Sequence, residues 1–274
     1  MKNYHDILFP YSYNILGSSE DAKDTIQDVL IKYLSIEKKH IENEIGYLIK
    51  STINQSINVK NKKKTVSMDN VWLPEPVSTE NPDSSIELAE ILSYSMLVLL
   101  EKLSAKERAV FILKEAYSYS HKEIVNIIGG TIENSRKLLS RAKNKVGGSE
   151  TMVALPRDTS KLEFYLDAMQ NADMPALEEL LNRDIILAAD GGESVKVVRE
   201  LTTGIRKTSK LLLYVYKAFL TGLDVRITQI NHQPAILFFR NDILQNCQVF
   251  ETENAKIKTI YSIVDPNKLK SIFH

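Results

Sequence analysis

The chain has 274 residues, 43% of them hydrophobic and 26% charged, and its 35 basic and 35 acidic side chains cancel to a formal net charge of zero. That length and composition suit two or three globular domains and exclude a globally disordered chain. The single cysteine, Cys247, excludes an internal disulfide and a multi-cysteine zinc site, and the histidines are scattered, so no metal or cofactor is expected. No apolar run nears the roughly 20 residues that cross a bilayer. MKNYHDILFPYSY lacks the basic start and continuous apolar core of a secretory signal, so the expected compartment is the cytoplasm, with no membrane partner. Neutrality does not exclude a nucleic-acid partner, because local clusters decide that.

Taken in order, residues 6–64 read as helical. In SSEDAKDTIQDVLIKYL, Ser18 caps the start, and Ala22, Ile26, Val29, Leu30, Tyr33 and Leu34 form the stripe expected to be buried. The opposite face gathers Asp24, Gln27 and Asp28. From spacing alone, solvated charge is the plainer reading of that face, and docking on a basic partner is the other. A helix over 45–59 packs through Tyr47, Leu48, Thr52, Ile53 and Ile57 and exposes Lys50, Asn54 and Asn58 ahead of a cluster of Lys60, Lys62, Lys63 and Lys64. Amides bond base edges and lysines neutralise phosphates, although the same pattern describes any solvated helix end. Residues 65–85 read as a linker, since Pro74, Pro76 and Pro82 stand among Ser, Thr and Asn. Within it VWLPEPV is anomalous. Trp72, the only tryptophan, and Leu73 need an apolar partner, on a neighbouring domain or on a flanking helix.

Helices resume over 86–103, and Ser104 with Glu107 has the S-x-x-E spacing of a capping box before AVFILKEAY. The same spacing recurs at Ser120 and Glu123, followed by the stripe Ile124, Ile127 and Ile128 and then by Gly129 and Gly130. A second helix turns Ile132, Ser135, Leu139, Ala142 and Val146 to one side, with Thr131 before it and Glu133, Asn134, Arg136, Lys137, Ser140 and Arg141 outward. This is a helix-turn-helix pattern. Its second half holds five basic side chains against one acidic, which suits a major-groove reader, with an ordinary helical hairpin as the alternative. After a connector at 149–159, two helices, a strand at IILAAD, a longer helix over 203–219 and the strand-like runs VRITQI, PAILFFR, ILQNCQVFE and KIKTIYSIV predict an α+β domain with a curved antiparallel sheet around a helix. Such a shape often holds a pocket.

These residues resemble the bacterial extracytoplasmic-function (ECF) sigma factors. The resemblance runs through YNILGSSEDAKDTIQDVLIKYL and GYLIKSTINQSINVKNKKK for sigma region 2 and LSAKERAVFILKEAYSYSHKEIVNIIGGTIENSRKLLSRAKNKV for region 4. WLPEP at Trp72, Leu73, Pro74, Glu75 and Pro76, ADGGESVK around Asp190, Gly191 and Gly192, and DPNKL from Asp265 through Leu269, with Lys268, are similar to marks of the subgroup bearing a SnoaL-like C-terminal domain. The resemblance implies a multi-domain protein. Region 2 would cover 1–64, the linker 65–85, region 4 the stretch 86–148, the connector 149–159 and a SnoaL-like α+β cone 160–274. It implies that Asp24, Gln27 and Asp28 bind core RNA polymerase. Lys50, Asn54, Asn58, Lys60 and Lys62 would meet the minus-10 promoter element. Thr131, Glu133, Asn134, Arg136, Lys137, Ser140 and Arg141 would read the minus-35 element. The WLPEP, DGG and DPNKL residues would form a regulatory contact acting in cis. Two departures stand out: lysine and asparagine replace the usual arginines of region 2, and DGGES replaces DGGGK, which moves Lys196 two places on. Asp190 alone, without a second polar group across a pocket, does not make a catalytic site, so no enzyme activity is expected. The alternative function is a one-component DNA-binding regulator whose C-terminal domain binds or turns over a small ligand.

Overall fold

The structure is a computed structural model that describes residues 4–37, 41–63, 71–80, 88–147, 159–198 and 200–273. Lys64, Pro82 and most of the 149–159 connector lie outside the described residues. The chain divides into two compact units, Met1–Ser67 with Asn81–Ala154, and Met68–Glu80 with Leu155–His274.

In the first unit, α1 (Tyr4–Leu16), α2 (Ser19–Leu34) and α3 (Glu44–Lys63) pack on one another. Ser18 caps α2 by accepting from the Asp21 amide at 3.1 Å. Ala22, Ile26, Val29 and Tyr33 are buried as the stripe predicts, but Leu34 is 72% exposed. Leu34 sits three residues after Ile31 and seven after Gln27, which places it on the outward side of a 3.6-residue helix. Tyr47, also expected inside, lies at the edge of α3 with its ring 6.0 Å from that of Tyr33.

The region expected to be helical over 86–103 is shorter and broken: a 3₁₀ turn at Leu88–Glu90, then α4 (Tyr94–Leu100) capped by Ser93. Next come α5 (Ala105–Phe111), continued by a π-helical turn at Ile112–Ala116, α6 (His121–Ile128) and α7 (Ile132–Val146). Both predicted capping boxes, Ser104/Glu107 and Ser120/Glu123, are formed. The turn between α6 and α7 depends on Gly129, whose φ of 79° with ψ of 175° is a conformation open essentially to glycine alone. Beneath these helices Arg108 is fully buried. Its Nε donates to the Asn14 carbonyl at 2.8 Å and its Nη1 pairs with Glu101, which also takes Lys60 at 2.8 Å. This buried cluster ties α5 to α1 and α3.

The second unit runs α8 (Ser160–Gln170), α9 (Met174–Leu180), β1 (Leu181–Asp190), β2 (Thr202–Thr203), α10 (Ile205–Val215) with a π-helical turn at Tyr216–Leu220, then β3 (Asp224–Ile230), β4 (Gln233–Arg240), β5 (Ile243–Glu253), β6 (Lys256–Ile263) and α11 (Pro266–Leu269). The strands form one sheet in the order β2-β1-β6-β5-β4-β3. β3 to β6 are the expected antiparallel meander, whereas β1 joins β6 in parallel, because the long helical connection brings the chain back to the meander's far edge. The meander turns at Asn231-His232, Asn241-Asp242 and Asn254-Ala255, each pair with positive φ at both residues, the geometry of a two-residue hairpin loop. Leu162, Tyr165, Leu177 and Leu212 from the helices pack on Ile236, Phe238, Phe250 and Ile260 of the sheet.

Candidate functional site

Three surfaces carry the predicted residues of the first unit. On α7, Glu133, Asn134, Arg136, Lys137, Ser140 and Arg141 are all exposed. Thr131 caps the helix, accepting from the Asn134 amide at 3.1 Å. Ser135, Ala142 and Val146 are buried behind them, and His121 Nδ1 meets Ser135 Oγ at 2.9 Å, fixing α6 to α7. Of the five basic side chains, Lys143 pairs with Glu115 at 2.9 Å and Lys145 with Glu107 at 2.7 Å. Arg136, Lys137 and Arg141 form no ion pair among the described residues, so the outward cationic charge is concentrated in those three.

On α2, Asp24, Gln27 and Asp28 are exposed together, and Ile31, 58% exposed, and Leu34 extend that face with apolar surface. The spacing 24, 27, 28, 31, 34 is one helix stripe of two acidic, one amide and two apolar side chains.

On α3, Lys50, Asn58 and Lys62 are exposed, but the other two predicted residues are held by protein groups. Asn54 Nδ2 lies 2.7 Å from the Ile127 carbonyl at the end of α6 and 2.8 Å from the Lys50 carbonyl. Lys60 donates to the Leu16 carbonyl at 3.0 Å and to Glu101, and burial, reinforced by the nearby Arg108 charge, pushes its pKa down to about 8. Lys63 pairs with Asp21 at 2.6 Å.

In the second unit, residues 71–80 lie as an extended strap. The Asp190 carboxylate is the hub: one oxygen accepts from the Leu73 amide at 2.7 Å and from Lys268 Nζ at 2.6 Å, and the other accepts from the Gly192 amide at 2.9 Å. Lys268 Nζ also donates to the Leu73 carbonyl at 2.6 Å and stands 4.3 Å from the Trp72 ring centre. The backbone of Leu73 is thus gripped at both polar groups. Leu73, Pro74, Glu75 and Pro76 are buried, while Trp72 is 38% exposed, so leucine rather than tryptophan is the inserted side chain. Gly192 has φ of 58°, and a Cβ there would fall 2.3 Å from an Asp265 carboxylate oxygen. Asp265 in turn caps α11 by accepting from the Asn267 amide at 3.0 Å. Gly191 is equally constrained, since a Cβ on it would meet the Val195 carbonyl at 2.1 Å. Lys196 is exposed and takes no part; Lys268 is the cation of this clasp.

Sequence reasoning missed the strap's second anchor. Val77 accepts from the Asn231 amide at 2.9 Å and donates to Asn231 Oδ1 at 3.0 Å, the Thr79 amide reaches the Gln229 carbonyl at 3.1 Å, and Ser78 bridges Ile230. Asn231, a buried polar residue in a hairpin turn, is the signal that could have pointed there.

A cavity of about 790 Å³ also opens in the second unit, lined by Leu187, Leu212, Val215, Asn246, Gln248 and Ser262 among others. Strand register puts Ala189, Ser262 and Gln248 side by side on the cavity face, and Asp190, one residue on from Ala189, on the other face. Asp190 is therefore not a cavity residue. Among the described residues no group of three or more His, Cys, Asp or Glu side chains is placed to hold a metal, and no helix is long and apolar enough to cross a membrane.

Comparison with known proteins finds relatives among the sigma factors. Residues 94–146, from α4 through α7, match the family Sigma-70, region 4. Over 270 residues, 96% of this chain and 91% of the relative, the sequence is 24% identical to a probable ECF RNA polymerase sigma factor SigI of Mycobacterium tuberculosis. The ECF RNA polymerase sigma factor SigJ of the same organism is 22% identical over 227 residues, 79% of this chain and 72% of that one. The crystal structure of M. tuberculosis SigJ superposes on this fold with a TM-score of 0.79 at 19% identity, covering 98% of this chain and 97% of that chain. The chain is thus similar over nearly its whole length to ECF RNA polymerase sigma factors, carries a sigma region 4 segment and shares the fold of SigJ.

Proposed function

We propose that the chain recruits core RNA polymerase through the α2 face of Asp24, Gln27 and Asp28, reads a minus-35 element with α7 and engages the minus-10 element with α3. The observation that carries this reading is the α7 face. Three cations without an ion pair among the described residues stand among Asn134, Glu133 and Ser140 on a helix capped and stapled from behind, inside the segment that matches sigma region 4. Arginine pairs bidentately with guanine, asparagine with adenine, and glutamate accepts from cytosine, so the face has side chains for sequence readout. Asn54 and Lys60 are held by Ile127 and Glu101, so their use on a minus-10 strand requires α3 and α6 to part. In this reading the C-terminal domain regulates in cis by holding the 71–80 strap through Asp190, Asp265 and Lys268, and the protein works beside the chromosome in the cytoplasm.

The competing reading, turnover of a ligand at Asp190, lacks support, because that carboxylate faces away from the cavity and is bonded to Leu73 and Lys268. Transcription reconstituted with core RNA polymerase on a library of promoter fragments tests the proposal. The full chain should direct initiation from a defined subset of fragments, and Arg136→Ala, Lys137→Ala or Arg141→Ala should weaken it. No promoter-dependent initiation by the full chain or by an Asp190→Ala variant would refute the sigma reading. Stable binding to one DNA site without polymerase would favour a one-component regulator.

A further inference from the structure

The cavity of the second unit has a divided chemistry. Its inner wall carries neutral polar groups: Asn246 Nδ2 donates to Ser262 Oγ at 3.1 Å, and Gln248 Oε1 accepts from the Tyr165 hydroxyl at 3.2 Å. The Gln248 amide nitrogen has no protein hydrogen-bond partner among the described residues, and it lines the cavity. Lys196, Glu200 and Arg240 line it too, but all three are exposed. Between these levels the wall is aliphatic, and the mouth is aromatic and apolar, with Tyr214, Phe219 and Ile243 each at least 60% exposed. A free amide donor at the closed end of an apolar chamber of this size fits a small molecule, within the roughly 300–1,000 Å³ range of such sites. A carboxylate or ammonium carried to that depth would lose its hydration without gaining a counter-charge.

The cavity and the strap clasp share a wall. Ala189, Val264 and Leu269 line the cavity, and each is the chain neighbour of a clasp residue, Asp190, Asp265 and Lys268. The Val264 amide bonds the Asp190 carbonyl at 2.8 Å, which couples the two strand ends directly. Past the glycine turn that Asp265 abuts, Val195 to Val198 form another part of the wall.

We propose that this cavity binds a neutral, largely apolar small molecule with a hydrogen-bonding group at its inner end, and that occupancy is transmitted through the ends of β1 and β6 to Trp72 and Leu73 of the strap. Only the consequence for transcription rests on the cis-regulatory reading above; binding and transmission do not.

Titration of the full chain with N-phenyl-1-naphthylamine tests the first half. Saturable binding of one probe per chain is expected, displaced by 1-decanol and at least about tenfold less well by decanoate, a charged molecule of the same skeleton. Ser262→Phe, which fills the inner end, should abolish binding, and Val215→Phe, on a helix rather than in the sheet, provides the same block should the first variant not fold. Trp72, the sole tryptophan, reads the second half: 1-decanol, which does not absorb near its emission, should shift that emission with the midpoint seen in displacement. Binding that is absent, indifferent to both variants, or equal for decanol and decanoate overturns the site. Binding with no response at Trp72 overturns the transmission. A Trp72 response accompanied by no change in reconstituted transcription leaves this inference standing and sinks the cis-regulatory reading instead.

Discussion

Arg108 shows how much a single side chain can commit a fold to one arrangement. A guanidinium without solvent contact is held by the Asn14 carbonyl through Nε and by Glu101 through Nη1, with Nη2 left without a hydrogen-bond partner among the described residues. Arg108→Met should cost the first unit about 1.5–3 kcal/mol in urea unfolding, because Glu101 loses a charged bond but keeps Lys60. The cluster also makes stability depend on pH. Lys60 titrates near 8 when folded and near 10.5 when unfolded, so between these values the unfolded chain binds more protons and stability rises with pH. Unfolding free energies measured from pH 8 to 10 should climb, and Lys60→Met should flatten the slope. Burial drives Glu101 the other way from its net shift: desolvation raises its pKa, but Arg108 and Lys60 outweigh it and hold it below the usual carboxylate range. Its contribution is present above the ordinary carboxylate pKa and lost as pH falls through the lowered one. None of this is legible in the sequence, since an arginine in LSAKERAVF reads as a solvated helix position. At the clasp, Asp190→Ala leaves Lys268 buried beside Leu73 without its counter-ion. Proteolysis within 71–80 should accelerate at least about tenfold, and the double variant Asp190→Ala with Lys268→Met should recover part of the protection, as expected when an unpaired buried charge is the main penalty.

Among the elements, the helix-turn-helix was the most legible, because each of its boundaries has a local chemical cause. Ser120 and Glu123 satisfy orphan amides, Gly129 takes a backbone conformation closed to other residues, and Thr131 caps α7. Ser120→Ala should cost about 0.5–2 kcal/mol. Gly129→Ala should cost about 1–3 kcal/mol, both read from thermal unfolding of the full chain. The meander was visible as strand-like runs, though its Asn-led turns lack the glycine that marks many two-residue loops. What periodicity could not supply was the company an element keeps. Leu34 and Ile31 belong to an exposed apolar stripe beside Asp24 and Asp28, which only the packing of α1 and α3 on the other side reveals. The parallel pairing of β1 with β6 likewise depends on a contact between strands more than sixty residues apart.

For the molecule as a whole, the first unit contains both proposed DNA-reading helices, and α3 and α6 meet through the bond from Asn54 to Ile127. Composition placed Asn54 on a solvated face because the surface that covers it comes from seventy residues away. If Arg136, Lys137 and Arg141 meet phosphates or bases, replacing all three with alanine should lower the slope of log affinity against log salt by about 0.9 for each lost phosphate contact. Fluorescence anisotropy on duplex DNA across salt concentrations measures it. A slope unchanged by the triple substitution would remove α7 from the interface.

The strap has a topological consequence. Residues 71–80 stand in sequence between the α1–α3 bundle and the region 4 segment, yet they are built into the second unit through Leu73, Val77 and Thr79. While they are held, the chain leaving α3 at Lys63 has ten steps before it is pinned at Leu73, a reach of at most about 36 Å at ~3.6 Å per residue. Once Leu73 and Val77 let go, the leash from Lys63 to Leu88 is 25 steps, about 90 Å fully extended. On the proposed reading, the clasp at Asp190 is a brake on a spool, setting how far the two proposed promoter-reading halves could be drawn apart while leaving each half's own surface unchanged.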